Sequence, residues 1–254
     1  TGFCVGGEFF TMFAIPLHSV FLLPNKWSII KICHLLILFR IEDLMLTPYS
    51  SPVASCRTQT EIKKSLFIAD IIPVHTTDDV ESALAAIKKE FKDATHHCYA
   101  YRLGTTQIAE KSSDGGEPSG TAGHPMLHVL QGNELTNVLG IVTRYFGGIK
   151  LGAGGLARAY AGSLADTVKA APLARYTPHN RMELTIPYSA VGSFEHYVEG
   201  TDIRVLDRAF SDKVKISFLC LPEKAEEHAR VFTDMTAGKA QIEKIGEEYV
   251  PIRK

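Results

Sequence analysis

A strong charge of one sign is missing from this sequence. Its 254 residues hold 27 Lys and Arg against 28 Asp and Glu, which gives a formal net charge of −1. Affinity for nucleic-acid phosphates comes mostly from Lys and Arg. The balance therefore argues against a chain that binds nucleic acid with its whole surface, while a local basic patch remains compatible with it.

Cysteine is scarce and scattered. The five cysteines, Cys4, Cys33, Cys56, Cys98 and Cys220, are odd in number and form no C-x-x-C pair. Disulfide frameworks and zinc fingers are built from closely spaced or paired cysteines. The sequence therefore predicts neither, and it favours a reducing, cytoplasmic location.

A hydrophobic run long enough to cross a membrane is also missing. The longest apolar run, Trp27 to Phe39, is interrupted by Lys31 and His34, and it is shorter than the roughly 20 residues that a spanning helix needs. No membrane association is predicted for residues 45–254. Three interpretations of the apolar N-terminal extension, residues 1–44, stay open: upstream sequence read through with Met45 as the true start, a short membrane-associating leader, or a non-native extension.

The remainder of the chain is predicted to divide into three parts. Residues 45–59 hold Pro and Ser with little periodicity, which predicts a flexible lead-in segment. A first domain is expected at 60–176 and a second at 177–254, joined by a linker at Thr177–Asn180. In the first domain, Asp78 followed by Glu81 predicts a capping-box-like helix start.

The most informative stretch is Ile141–Tyr160, IVTRYFGGIKLGAGGLARAY. It begins as a strand, breaks into glycines and restarts as an alanine-rich helix near Leu156. A glycine turn that feeds a helix leaves N–H groups free at the positive end of the helix dipole, which suits an anion. We predict a phosphate-binding loop here, and the alternative is a tight turn packed on its own domain. The predicted contact residues are Arg144, Tyr145, Gly147, Gly148, Lys150, Gly152, Gly154, Gly155 and Arg158.

Two familiar nucleotide-binding loops do not match this stretch. A Walker A loop needs Lys-Ser or Lys-Thr after its last glycine, and neither follows these glycines. The dinucleotide fingerprint G-x-G-x-x-G needs a different spacing from that of Gly152, Gly154 and Gly155. Phosphate contact is therefore predicted without a nucleotide-hydrolysing site, and no cofactor is expected.

A second group of polar residues precedes the glycine stretch. Two histidines lie on a predicted strand at 94–103, where alternation places them on opposite faces. The polar loop at 111–125, KSSDGGEPSGTAGHP, follows that strand. Its carboxylates suit either acid–base chemistry or the capping of backbone N–H groups that orient the histidines. The spacing matches no metal motif, so no metal is predicted. The residues of this group are His96, His97, Asp114, Glu117 and His124.

Three segments carry a family likeness. HHCYAY at 96–101, SDGGEPSGTAGHPML at 113–127 and VTRYFGGIKLGAGGLARAY at 142–160 strongly resemble the IMPACT family, in its bacterial YigZ-like branch. The resemblance covers roughly residues 60–254. It implies an α+β protein of two domains, the first similar to domain IV of elongation factor G and to the second domain of a ribosomal small-subunit protein. The second domain is implied to be similar to domain V of elongation factor G, and the pattern of residues 182–250 independently predicts a ferredoxin-like βαββαβ order.

The first functional hypothesis is a cytoplasmic, non-enzymatic protein that binds RNA or the ribosome and modulates translation. The resemblance to translation factors motivates it, together with the glycine turn, and either Tyr145 or Tyr99 is a candidate for stacking on a base. No DNA-specific motif is present. Two alternatives stay open: a hydrolase-type enzyme that uses the cluster of histidines and carboxylates, and a module that binds a protein partner through its C-terminal sheet.

Overall fold

The computed structural model describes residues 46–253, so the predictions made for residues 1–44 lie outside it. In chain order its strands are β1 (Tyr49–Pro52), β2 (Cys56–Ile62), β3 (Ser65–Pro73), β4 (His96–Leu103), β5 (Ala109–Ser113), β6 (Val138–Tyr145), β7 (Leu173–Ile186), β8 (Arg204–Phe210), β9 (Val214–Cys220) and β10 (Gln241–Arg253). The α-helices are α1 (Thr77–Glu90), α2 (Gly123–Gly132), α3 (Ala153–Ala170), α4 (Val191–Val198) and α5 (Ala225–Met235). None of these described helices is long and apolar enough to cross a membrane.

The first domain is an antiparallel sheet in the order β2-β3-β6-β4-β5, with helices on both faces. The central strand β6, VLGIVTRY, is apolar over most of its length because both of its faces are buried. Alternate residues of β6 pack in opposite directions: Val142 lies in the core with α2 and α3, and Ile141 lies in the core with α1. A Cβ on Gly140 would meet the Leu164 side chain at 2.9 Å, so this glycine lets α3 pack close to the sheet. This contact packs the middle of α3 against β6.

The predicted capping box of α1 is wrong by two residues. Thr76, not Asp78, is the N-cap, and its backbone is extended with φ −131° and ψ 163°. From that position the Asp79 N–H donates to the Thr76 hydroxyl at 3.1 Å, and the Thr76 N–H donates to the Asp79 carboxylate at 2.9 Å. Thr76 and Asp79 therefore form the reciprocal capping box, and the helix begins at Thr77.

The second domain has the predicted ferredoxin-like order. Its strands lie side by side as β10-β7-β9-β8, with α4 between β7 and β8 in sequence and α5 between β9 and β10. Phe194 of α4 and Phe232 of α5 pack with Phe218 of β9 in one buried cluster. The predicted α+β fold class with two domains is confirmed.

The predictions of a flexible segment at 45–59 and of a linker at Thr177–Asn180 are wrong. Residues 49–52 form β1, which pairs with residues 173–176 of β7, and residues 56–62 form β2. The predicted linker lies inside β7 and pairs with β10 over residues 247–250. For β1 and for the predicted linker, strands distant in sequence supply the backbone hydrogen bonds, so local composition does not reveal them. The domain boundaries at 60–176 and 177–254 stay predictions.

Candidate anion-binding cleft

A cleft of about 440 Å³ opens where the end of β6 meets the start of α3. Its polar lining residues are Thr95, His96, Glu117, Arg144 and Lys150. Its apolar lining includes Pro118, Phe146, Leu151 and Leu156. The histidine strand and the glycine turn therefore border one concave surface, which is the arrangement that a joint binding site requires.

Glycine is required where the chain leaves β6. A Cβ on Gly147 would lie 1.9 Å from the carbonyl oxygen of Lys64, in the turn between β2 and β3. The Gly147 N–H donates to the Ser65 hydroxyl at 3.2 Å, so this amide is already paired. Two further residues of the turn, Gly148 and Gly152, have φ of 83° and 73°, in the left-handed region that favours glycine.

Helix α3 begins one turn earlier than the sequence indicated, at Ala153 instead of near Leu156. Gly152 is the N-cap, and its carbonyl accepts the Leu156 N–H at 2.9 Å. Within the described part of the chain, the N–H groups of Ala153, Gly154 and Gly155 have no hydrogen-bond acceptor. These amides stand at the positive end of an 18-residue helix. Of these three residues, Ala153 lines the cleft, so its amide is a donor there for an anion, whereas Gly155 lines a separate hollow.

The guanidinium of Arg144 lies at the base of the cleft and is almost fully buried. Its Nη1 donates to Glu117 Oε1 at 2.7 Å, and its Nη2 donates to the Ser65 hydroxyl at 3.2 Å. The guanidinium carbon lies 5.4 Å from the ring centre of Phe67 and 5.3 Å from that of Phe146. Among the described residues its Nε has no acceptor. Arg144 therefore reaches the cleft with its charge largely compensated by Glu117.

Glu117 joins the three elements that meet at the cleft. The oxygen that accepts from Arg144 also accepts from the Tyr160 hydroxyl of α3 at 2.8 Å. Burial raises the pKa of Tyr160, which keeps that hydroxyl protonated as a donor. His96 Nε2 lies 3.8 Å from the same carboxylate oxygen, beyond hydrogen-bond distance, while His96 Nδ1 lies 3.1 Å from the Gly115 carbonyl oxygen. The carboxylate is thus a structural centre of the site.

The predicted histidine and carboxylate cluster does not assemble as a unit. His97 lies on the opposite face of the sheet, where its Nδ1 is 3.2 Å from the Thr143 hydroxyl and burial lowers its pKa. His124 is exposed on α2, with its ring centre 6.1 Å from that of His128. Among the described residues there is no group of three or more metal-ligating side chains. His96 and Glu117 are the members of the predicted cluster that line the cleft.

Asp114 has the second of the two roles predicted for the loop carboxylates, which is the capping of backbone N–H groups. Its carboxylate accepts the N–H groups of Gly120, Ala122 and Gly123 at 2.8 to 2.9 Å. Burial opposes ionisation, but these three hydrogen bonds outweigh it and lower the pKa of Asp114. Asp114 therefore orders the loop before α2.

The predicted phosphate-contact residues are divided among three surfaces. Tyr145 follows Arg144 in β6 and points to the opposite face of the sheet. Arg158 lines a separate hollow of about 240 Å³ on the other side of Leu151. Tyr99, the other candidate for stacking on a base, is partly buried against the core beside α1 and stacks on Tyr101 with ring centres 6.5 Å apart. Lys150 and Gly152 are the predicted contacts that are exposed at the cleft, whereas Gly155 lines the same hollow as Arg158.

Three residues of the site were not predicted from the sequence. Phe146 follows Arg144 by two residues, so the period of a strand places both side chains on the same side of the sheet. The sequence therefore contained a signal for Phe146. Tyr160 follows Leu156 by four residues on α3 and shares its face. Ser65 carries no such signal, because its contact with Gly147 joins residues 82 positions apart.

The fold and the site together define a class: a two-domain α+β protein whose first domain holds a cleft between the end of β6 and the start of α3. Comparison with known proteins gives the family. The Impact N-terminal domain model matches residues 63–168, and a domain of unknown function, DUF1949, matches residues 184–239. The chain belongs to the IMPACT family, which confirms the resemblance seen in the sequence.

Individual relatives match over most of their length. The IMPACT family member YvyE of Bacillus subtilis is 33% identical over 198 residues, which is 78% of this chain and 91% of that protein. YigZ of Escherichia coli is 33% identical over 196 residues, which is 75% of this chain and 95% of that protein. A crystal structure described as that of a hypothetical protein has a TM-score of 0.53 at 29% identity, and the match covers 80% of this chain and 99% of that one. The two-domain arrangement is therefore shared.

Proposed function

We propose that this protein is cytoplasmic, binds RNA or the ribosome through the cleft beside the glycine turn, and modulates translation without catalysing a reaction. The family's likeness to translation factors supports a role in translation. The observation that carries the proposal is the meeting, in one cleft, of the unpaired Ala153 amide at the start of α3 with the exposed Lys150 and the buried Arg144.

The charges at the cleft favour a phosphate at the α3 end. Arg144 and Glu117 form an ion pair of 2.7 Å and largely cancel. Lys150 is exposed and has no ion pair within the described residues. The helix N-terminus adds the equivalent of about half a positive charge. The net field is therefore positive beside Lys150, and a nucleic-acid phosphate is the anion that translation components present most often.

The hydrolase hypothesis and the protein-interaction hypothesis differ in the structural observations that favour them. The hydrolase hypothesis needs the histidines and carboxylates in one site, whereas His97 lies across the sheet and Asp114 is occupied by backbone N–H groups. The hypothesis of a protein-interaction module has one supporting observation: Leu206 and Phe210 on the edge strand β8 are 44% and 62% exposed. Exposed apolar side chains beside an unpaired strand edge suit a protein partner.

The test is binding to purified ribosomes and to single-stranded RNA as a function of salt, with the wild-type protein and three variants. Lys150→Gln should weaken binding by at least about threefold and lower the salt slope by roughly one, because one phosphate contact is lost. Lys89→Gln is the matched control, since Lys89 is exposed on α1 across the sheet. Binding that Lys150→Gln leaves unchanged would refute the proposal. Ribosome capture that is lost in Phe210→Ser but retained in Lys150→Gln would favour the protein-interaction module.

A further inference from the structure

We infer that the cleft recognises the terminal phosphomonoester of a nucleotide, with the phosphate on the α3 amides and the base against Phe146. This inference rests on the proposed function and makes it more specific. Two sources present that chemistry, a phosphorylated end of an RNA strand and a free nucleoside monophosphate. The experiment below distinguishes them.

The donors at the start of α3 suit a phosphomonoester better than a diester within a chain. Ala153, Gly154 and Gly155 present three successive N–H groups without an acceptor among the described residues, and Lys150 lies beside them. A phosphomonoester offers three terminal oxygens and nearly two negative charges at neutral pH. A phosphodiester offers two free oxygens and one charge. Ala153 and Lys150 line the cleft together, and a monoester offers these donors and the following amides one more free oxygen and more charge than a diester does.

A second observation, independent of the helix, also indicates a ligand. Arg144 lines the cleft, is 4% exposed, and has its Nη groups on Glu117 and Ser65. Its Nε has no acceptor within the described part of the chain. A buried donor of a charged group without a partner is costly in free energy. An oxygen brought in by a ligand, or a water held by it, would satisfy this donor.

The apolar wall of the cleft suits a base. Phe146 is 47% exposed, and the guanidinium of Arg144 lies 5.3 Å from its ring centre, which holds the ring beside the cleft. Leu151 and Leu156 continue the apolar lining. Aromatic rings bind bases by stacking with little dependence on sequence. The volume of about 440 Å³ lies in the range of small-molecule sites and suits one nucleotide rather than a length of duplex.

The experiment compares the affinities of five probes: AMP, inorganic phosphate, and one RNA octamer that carries a 5′-phosphate, a 3′-phosphate or neither. A phosphorylated end should bind at least about tenfold more tightly than the unphosphorylated octamer, because it gains charge-assisted hydrogen bonds. AMP should bind more tightly than inorganic phosphate. Phe146→Ala should weaken the binding of AMP and of the phosphorylated octamers at least about fivefold, because the stacking of the base is lost. Ile149→Ala is the matched control, because Ile149 is exposed on the same turn and does not line the cleft.

The outcomes separate this inference from the proposed function. Equal affinity for the three octamers, with the dependence on Lys150 intact, would overturn the terminal-phosphate inference and leave RNA binding standing. Inorganic phosphate that binds as tightly as AMP, with no effect of Phe146→Ala, would overturn the role of the base. Binding of AMP without binding of any octamer would support the site, identify a free nucleotide as its ligand and refute the proposed RNA function.

Discussion

Arg144 and Glu117 form a buried ion pair at the base of the cleft, with 2.7 Å between Nη1 and Oε1 and side chains 5% and 4% exposed. The pair joins β6 to the loop that follows β5, and the Tyr160 hydroxyl ties the same carboxylate to α3. Both charges have lost most of their hydration, so each depends on the other for compensation. The pair therefore holds together the elements that form the cleft, and it also sets the distribution of charge at its base.

Breaking this pair from one side should destabilise the first domain. Arg144→Ala leaves Glu117 as an uncompensated buried carboxylate, and we expect a loss of about 3–5 kcal/mol in the free energy of unfolding. Denaturant unfolding of both proteins measures it. The control is Lys169→Ala, because Lys169 pairs with Asp166 at 3.3 Å with side chains 78% and 60% exposed, and little change is expected there. Equal effects of the two substitutions would contradict the structural importance of the buried pair.

The Asp114 cap should make stability depend on acid pH. Burial opposes ionisation of Asp114, but the amides of Gly120, Gly123 and Ala122 lower its pKa below the ordinary value of about 3.9. A folded pKa below the unfolded one gives stability that is fully present above the unfolded pKa and is lost as pH falls through the folded pKa. Asp114→Asn should lower the thermal midpoint at pH 7 and flatten its fall below about pH 4.

Asp207→Asn serves as the control for that measurement, because Asp207 is exposed on β8 and makes no side-chain hydrogen bond within the described residues. Its midpoint should follow that of the wild type across the pH series. An Asp114→Asn variant with the wild-type acid dependence would show that the cap does not contribute.

Gly147 and Gly162 should respond to alanine in opposite directions. A Cβ at Gly147 would lie 1.9 Å from the backbone oxygen of Lys64, so Gly147→Ala must displace the turn beside the cleft. We expect a loss of at least about 2 kcal/mol in unfolding free energy. Gly162 lies inside α3 with no atom within 4 Å of an added Cβ, and Gly162→Ala should stabilise by roughly 0.5–1 kcal/mol. Chemical denaturation compares the two, and a Gly147→Ala protein as stable as wild type would refute the close approach.

Local sequence signals predicted the second domain well and parts of the first poorly. The βαββαβ order followed from strands and helices whose apolar residues recur at the proper periods, and Phe194, Phe218 and Phe232 indeed pack together. The segment at 49–62 holds few large apolar residues, yet β1 and β2 form because β7 and β3 offer edges to pair with. Strand formation there depends on the partner strand rather than on composition.

The sequence by itself determined the family, the alternation that separates His96 from His97, and the glycines without which the turn after β6 has no room. Only the tertiary structure decided that Arg144 is neutralised by Glu117 instead of standing free, that Asp114 serves as a cap, and that Phe146, Lys150 and Ala153 line one cleft. The physical reason is packing: Arg144 and Glu117 lie 27 positions apart on different elements, and the energy of a buried polar contact depends on burial that only packing creates.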